Sequence, residues 1–369
     1  MSKPQPKPGV LKIAPYQQGE SEIQGVESPL KLSSNESSFG PAAAAIAAYQ
    51  AAAATLHRYP DGSQSALRRA IAEVHGLNFE QIVCGNGSDE LIQLVTRAYV
   101  GAGDEVLMSE NGFLMCRIHA LAQGADVVVA PEKDFYVDVD AIIDRVSERT
   151  RLITLASPNN PTGTYVPYTD IQRLHKALPG DVILLLDGAY AEYVTADDYD
   201  AGASLVNASD NVVMTRTFSK IYGLSALRIG WAYVPASMMD PLQRIRTPFN
   251  ANGPAMAAAE AAVRDTGHVA TVRAHNARWQ KVIAERLTAV GLHVVPSVAN
   301  FYLVIFPHES GRTGGQAGAF LQQHGIIPRP VGGEGDPELR ITVGSDDENE
   351  TVLAALEEFM RAPRATGTE

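Results

Sequence analysis

A single lysine in this chain has the neighbours of a working amine. In Thr215-Arg216-Thr217-Phe218-Ser219-Lys220-Ile221-Tyr222-Gly223-Leu224-Ser225-Ala226-Leu227-Arg228, Lys220 follows a hydroxyl residue, and an arginine comes eight positions later. The preceding apolar run, Val212, Val213 and Met214, reads as a buried strand, so Lys220 stands where a strand ends and a loop begins. Desolvation there disfavours the charged form, lowers the pKa from about 10.4 and frees the amine as a nucleophile. Ser219 and Arg228 supply a hydroxyl and a fixed cation able to hold a phosphate beside it. Alone, the same lysine reads more simply as a surface residue of a loop.

Three further motifs bear on the choice. Gly85-Asn86-Gly87-Ser88-Asp89-Glu90 lies between a strand and an amphipathic helix. Ser88 is expected to cap that helix, and the free amides of Asp89 and Glu90 at its positive end make an anion site. Glu90 replaces the third glycine of a dinucleotide fingerprint, and no Gly-Lys-Ser/Thr follows, so an ordinary capped turn stays open. Asn160, in Ser157-Pro158-Asn159-Asn160-Pro161-Thr162-Gly163, is pushed towards extended backbone by the next proline and can aim its amide over the sheet edge. A plain Asn-Pro turn is the competing reading.

Asp187 ends the most apolar run, Val182-Ile183-Leu184-Leu185-Leu186. A carboxylate in that place is costly without a cation. A protonated pyridine nitrogen is such a partner, and Tyr190 stands ready for the ring's phenolic oxygen; helix capping by Asp187 is the alternative. An amine, a phosphate grip and an acid for a pyridine together suggest pyridoxal 5'-phosphate held as a Schiff base.

These residues need a sheet to hang from. Strand-like runs are Gln81–Cys84, Glu105–Met108, Asp126–Ala130, Leu152–Ala156, Val182–Leu186, Val212–Thr215 and Ile229–Val234. Helical patterns fill most intervals, at Asp89–Tyr99, Gly112–Leu121, Val139–Ser147 and Thr169–Leu178. Continuous apolar strands separated by helices predict an α/β fold with a largely parallel sheet covered on both faces. A single long helical pattern from Ala251 to Leu287 leads to a second strand set at His293–Val295, Phe301–Phe306, Ile326–Ile327 and Leu339–Val343. That change of texture predicts an N-terminal arm over 1–36, a large domain over 37–250 and a smaller α+β domain over 251–369.

Composition excludes several classes. The chain has 369 residues, enough for two domains, and a formal net charge of −12 with no local Lys/Arg block, which argues against nucleic acid. Two cysteines, Cys84 and Cys116, make neither a disulfide framework nor a metal cluster, so a reducing cytoplasm fits best. The first fifteen residues lack the apolar core of a signal peptide, and the alanine-rich run Ala42–Leu56 is too short for a membrane span.

In this order, Asn160-Pro161-Thr162-Gly163, Asp187 with Ala189-Tyr190, and Ser219-Lys220 with Arg228 resemble the fold-type I pyridoxal-phosphate aminotransferases. Lys31-Leu32-Ser33-Ser34-Asn35-Glu36, Arg58-Tyr59-Pro60-Asp61, Gly85 to Glu90, Gly325-Ile326-Ile327-Pro328-Arg329 and Leu339-Arg340-Ile341-Thr342-Val343-Gly344 are similar to the histidinol-phosphate aminotransferase group. The resemblance covers roughly residues 30 to 345. It implies a large domain with a mostly parallel seven-stranded sheet between helices.

It also implies roles. Lys220 would carry the cofactor and move the proton, Asp187 would pair with the pyridine nitrogen, and Asn160 and Tyr190 would hold the ring oxygen. Ser88, Asp89, Ser219 and Arg228 would surround the phosphate, Asp89 mainly through its amide, while Phe113 would stack on the ring where many relatives have Tyr. Tyr59 would reach the neighbouring subunit's site, which implies a homodimer. Arg340 would grip a carboxylate and Arg329 the substrate phosphate, with Asn160 and Tyr59 also near the substrate. The chain departs from many relatives at Ser37-Ser38, where they carry Asn-Pro after the glutamate.

The implied activity is transamination between histidinol phosphate and 2-oxoglutarate, giving imidazole acetol phosphate and glutamate, in histidine biosynthesis. The partners are then a small amino donor and a 2-oxo acid, without nucleic acid, membrane or metal. An aromatic amino-acid aminotransferase stays open through Phe113 and Phe39, as does a decarboxylase of a phosphorylated amino acid. A cofactor-sensing regulator would need a DNA-binding domain for which the chain has no spare length.

Overall fold

The computed structural model describes residues 3–16, 18–307, 312–332 and 338–362 of the chain. The outermost parts of the expected arm and C-terminal domain, 1–2 and 363–369, lie outside the described residues. Seven strands, Ile82–Gly85, Glu105–Ser109, Asp126–Ala130, Thr150–Ala156, Ile183–Asp187, Val212–Thr217 and Gly230–Tyr233, form the central sheet. Each overlaps one of the seven apolar runs. Across the sheet they lie in the order first, seventh, sixth, fifth, fourth, second, third. The seventh runs antiparallel to both its neighbours, and every other pairing is parallel.

Successive side chains of a strand enter opposite faces, and here each face meets its own core. Ile183, Leu185 and Val213 pack with Leu91, Ile92 and Cys116. Leu184, Leu186, Val212 and Met214 pack with Ile71, Ile171 and Ala258. A strand sealed on both sides has no polar alternation, so its apolar run is unbroken.

A further core gathers Trp279, Ile283, Leu287, Tyr302, Ile341 and Leu356 against a smaller antiparallel sheet. Its strands lie in the order His293–Val295, Phe301–Ile305, Glu338–Thr342, Arg329–Val331. Leu32 joins this core because Leu30–Lys31 pairs in parallel with Ile326–Ile327. The arm and Ile326–Ile327 form a two-stranded sheet of their own, and the Thr342 amide of the small sheet donates to the Leu32 carbonyl at 2.9 Å.

Ala255, Ala258, Ala259, Ala262 and Val263 of the helix Gly253–Arg264 belong to the core of the large sheet, as do Val269 and Val272 of the next helix. Along the helix Thr266–Ala289 the packing passes from that core at Val272 to the further core at Trp279. The expected single helix from Ala251 is two helices, Gly253–Arg264 and Thr266–Ala289. Asp265 separates them, its carboxylate accepting the His268 amide at 2.9 Å as the cap of the second. Among the described residues no helix is long and apolar enough to cross a membrane, and no His/Cys/Asp/Glu group could hold a metal ion.

Candidate active site

Parallel strands and the helices that follow them bring their ligand-facing ends to one edge of the sheet. Asp187 is the last residue of Ile183–Asp187, and Lys220 comes just beyond Val212–Thr217. Ser88 opens the helix Ser88–Tyr99 after the turn that ends Ile82–Gly85, and Phe113 directly precedes Leu114–Gln123. Arg329 and Arg340 come from the small sheet, where they pair in register. Ser88, Asp89, Phe113, Asn160, Asp187, Tyr190, Ser219, Lys220, Arg228, Arg329 and Arg340 all line one cavity of about 390 Å³.

The amine and the acid in this cavity are both strained electrically. Burial, with the cations of Arg340 and Arg228 nearby, brings the Lys220 ammonium down to about 7, against a partial counter-effect from Glu36 and Asp187. Its Nζ donates to the Ser34 carbonyl oxygen at 3.2 Å. Burial pushes the Asp187 carboxyl up to about 6, although the Thr215 hydroxyl donates to its Oδ1 at 2.8 Å and favours the ionised form. A carboxylate so placed gains by meeting a buried cation.

Across the cavity the chain offers donors to an anion. Arg228 Nη1 donates to the Ser219 hydroxyl at 3.2 Å and to the Ser225 carbonyl at 3.1 Å. Gly87 sits at φ +86°, a backbone that L side chains rarely adopt, and a Cβ there would stand 2.7 Å from Arg228 Nη2 and push that guanidinium aside. Gly87, not Ser88, occupies the cap position, and Ser88 is the first helical residue with no side-chain cap bond. Its hydroxyl is thereby left to the cavity rather than to the helix. The Asp89 carboxylate turns to His119 Nε2 at 3.0 Å.

The small domain reaches in through Arg340. Its Nη1 donates to Asn160 Oδ1 at 2.6 Å and its Nη2 to the Ser33 carbonyl at 2.7 Å, while its buried Nε has no partner. Burial lowers the Arg340 guanidinium from its ordinary value. Asn160 Nδ2 in turn donates to the Tyr190 hydroxyl at 3.4 Å. Two residues unassigned from sequence join here. Asn35 Nδ2 donates to the same hydroxyl at 2.9 Å, and Thr215 holds Asp187. Asn35 stood in a quoted motif, but nothing local marks its partner, which lies 155 positions away.

Two expected residues lie elsewhere. Tyr59, expected at the neighbouring subunit's site, is 83% exposed, stacks on Phe249 with ring centroids 4.7 Å apart and does not line this cavity. Phe39 packs edge-on against the His275 ring at 4.8 Å and does not line the cavity either.

A buried lysine just beyond a strand of the sheet and a buried acid at its edge line one cavity with Ser88, Ser219 and Arg228. The chain belongs to the aminotransferase class I and II family, whose model matches residues 27–356. Within it, proteins named histidinol-phosphate aminotransferase from Rhodopseudomonas palustris strains HaA2 and BisA53 are each 49% identical to it over 365 residues, covering 98% of this chain and 100% of theirs. The crystal structure of histidinol-phosphate aminotransferase from Sinorhizobium meliloti in complex with pyridoxal-5'-phosphate is similar at a TM-score of 0.86 and 28% identity, covering 96% of this chain and 97% of that one.

Proposed function

We propose that this chain is a pyridoxal-phosphate-dependent aminotransferase that interconverts histidinol phosphate and 2-oxoglutarate with imidazole acetol phosphate and glutamate. The observation that carries this reading is the convergence of Lys220, Asp187 and the Ser88–Ser219–Arg228 cradle on one cavity. The residues fit the cofactor: Asp187 suits a protonated pyridine nitrogen, the cradle suits a phosphate, and the Lys220 amine lines the same cavity. The full-length likeness to histidinol-phosphate aminotransferases supports the substrate.

When bound, pyridoxal phosphate supplies an electron sink for the substrate carbon that bears the amine. Lys220, with its proton affinity brought down to about 7, is the base that takes the proton from that carbon and holds it at Nζ. Asp187 would pair with the ring nitrogen and favour its charged form, with the Thr215 bond favouring the ionised acid. Phe113 would stack on the ring face. Arg340 and Arg329 orient the anionic end of each substrate, a carboxylate for glutamate and a phosphate ester for histidinol phosphate.

The reading extends to a homodimer in which Tyr59 reaches the partner's cofactor phosphate. The outward position of Tyr59 and the exposure of Ile46, Tyr49 and Leu56 on the same part of the chain support it. A reducing cytoplasm suits Cys84 and Cys116, which are free and buried. A panel of amino donors against 2-oxoglutarate tests the substrate. Histidinol phosphate should exceed phenylalanine in kcat/KM, and the reverse order, or carbon dioxide release from a phosphorylated amino acid, would overturn the assignment.

A further inference from the structure

Asn35 is 1% exposed and held on every side. Its amide donates to Thr342 Oγ1 at 2.9 Å, its carbonyl accepts from Asn300 Nδ2 at 3.0 Å, and its Nδ2 donates to the Tyr190 hydroxyl at 2.9 Å. Its backbone sits at φ +55°, a conformation that asparagine tolerates better than most residues. Thr342 and Asn300 belong to the small-domain side and Tyr190 to the large one, so Asn35 bridges the two. Its neighbours do related work: Ser33 accepts from Arg340 and Ser34 from Lys220.

A count of hydrogen-bonding capacity gives this contact a consequence. A phenol hydroxyl has one proton to give and two lone pairs with which to accept. Asn160 presents its amide nitrogen to Tyr190, because its Oδ1 is claimed by Arg340, a group that can only donate. Asn35 presents its amide nitrogen as well, at 2.9 Å, while its Oδ1 lies 3.4 Å from Thr342 Oγ1, whose own proton goes to the Leu32 carbonyl at 2.7 Å. Both lone pairs of Tyr190 are thereby taken by donors. Its own proton is left for an acceptor in the cavity.

We infer that Asn35 is a positioning residue that, together with Asn160, fixes the Tyr190 hydroxyl as a donor towards the cofactor's ring oxygen. The inference rests on the proposed cofactor. Lys220, Asp187, Arg340 and Tyr16 are the other titratable or charged groups that act on Tyr190. None of them replaces the Asn35 amide as a donor to its lone pair. A ring oxygen deprived of its donor keeps a proton to higher pH.

The test compares Asn35→Asp, Asn35→Gly, Tyr190→Phe and the double variant Asn35→Asp/Tyr190→Phe as holoenzymes. The measured quantities are the pH midpoint of the bound cofactor's visible colour change and its dissociation rate. Asn35→Asp turns a donor into an acceptor that draws the Tyr190 proton away; glycine suits the positive φ and removes only the side chain. Both should raise the midpoint, Asn35→Asp by roughly one unit, and Asn35→Asp should add nothing to Tyr190→Phe. Glycine should give the smaller rise and speed cofactor release.

Unshifted midpoints in both variants, or shifts additive with Tyr190→Phe, would overturn the inference. Wild-type protein that acquires no visible cofactor band would overturn the proposed function itself, whereas a normal wild-type band with indifferent Asn35 variants overturns this step alone.

Discussion

Thr215 and Asp187 face each other across neighbouring parallel strands, and the Thr215 hydroxyl donates to Asp187 Oδ1 at 2.8 Å. The acid therefore has a fixed direction before any ligand arrives. Burial still penalises its charge: the unfolded chain releases this proton near 3.8, the folded chain near 6. Folding thus costs more as pH rises through that window, and the penalty is complete above pH 6. Cofactor-free Asp187→Asn should melt higher than the parent at pH 7.5, by up to about 3 kcal/mol of stability, and match it near pH 4. The same variant loaded with cofactor should lose kcat by ~100-fold or more, since the ring nitrogen loses its charged partner. Equal melting at both pH values would refute the burial argument.

Lys220 gives the opposite pH signature in assembly. Its amine is neutral above about pH 7, so the rate at which pyridoxal phosphate attaches to the cofactor-free protein should climb between pH 6 and 8 and then level off. Stopped-flow absorbance would follow it. A rate that falls over the same interval would contradict the lowered proton affinity. Lys220→Ala should show neither the visible band of lysine-linked cofactor nor turnover, and retained turnover would end the assignment.

The two arginines should separate by substrate. Arg340 is buried and bonded to Asn160 and to the Ser33 carbonyl, so Arg340→Ala leaves two acceptors without their donor as well as an ungripped substrate. A loss of about 100- to 1,000-fold in kcat/KM is expected for glutamate. Arg329→Ala should lower kcat/KM for histidinol phosphate far more than for unphosphorylated amino donors. An equal fall for both kinds of donor would remove Arg329 from phosphate recognition.

Tyr59 is tested by mixing. If it completes the partner's site, Tyr59→Ala and Lys220→Ala proteins, each nearly inactive, should recover activity when unfolded and refolded together. One site of a hybrid dimer then has both residues intact. A mixture no more active than the sum of its parts would leave Tyr59 outside the catalytic centre.

The sheet was legible because each of its strands is sealed on two faces, so Val182–Leu186 and its neighbours needed no alternation to be recognised. Lys220, Asp187 and Arg228 were legible because charged residues at the ends of such runs are expensive without a purpose. Ser88 was misplaced by one position, as glycine and serine both suit a cap and the choice depends on the turn geometry at Gly87. Which core receives the helix Gly253–Arg264 was not legible, because an alanine-rich helix does not record it. Asn35 and Thr215 escaped notice for a plainer reason: a short polar side chain acquires meaning from partners that the local sequence does not contain.

The large sheet carries the amine, the acid and the anion cradle, while Arg329 and Arg340 are lent by the small one. On the proposed roles, reaction type and clientele would be written on separate layers. New preferences can be selected on the smaller sheet by exchanging side chains, with the machinery that activates the amine inherited intact.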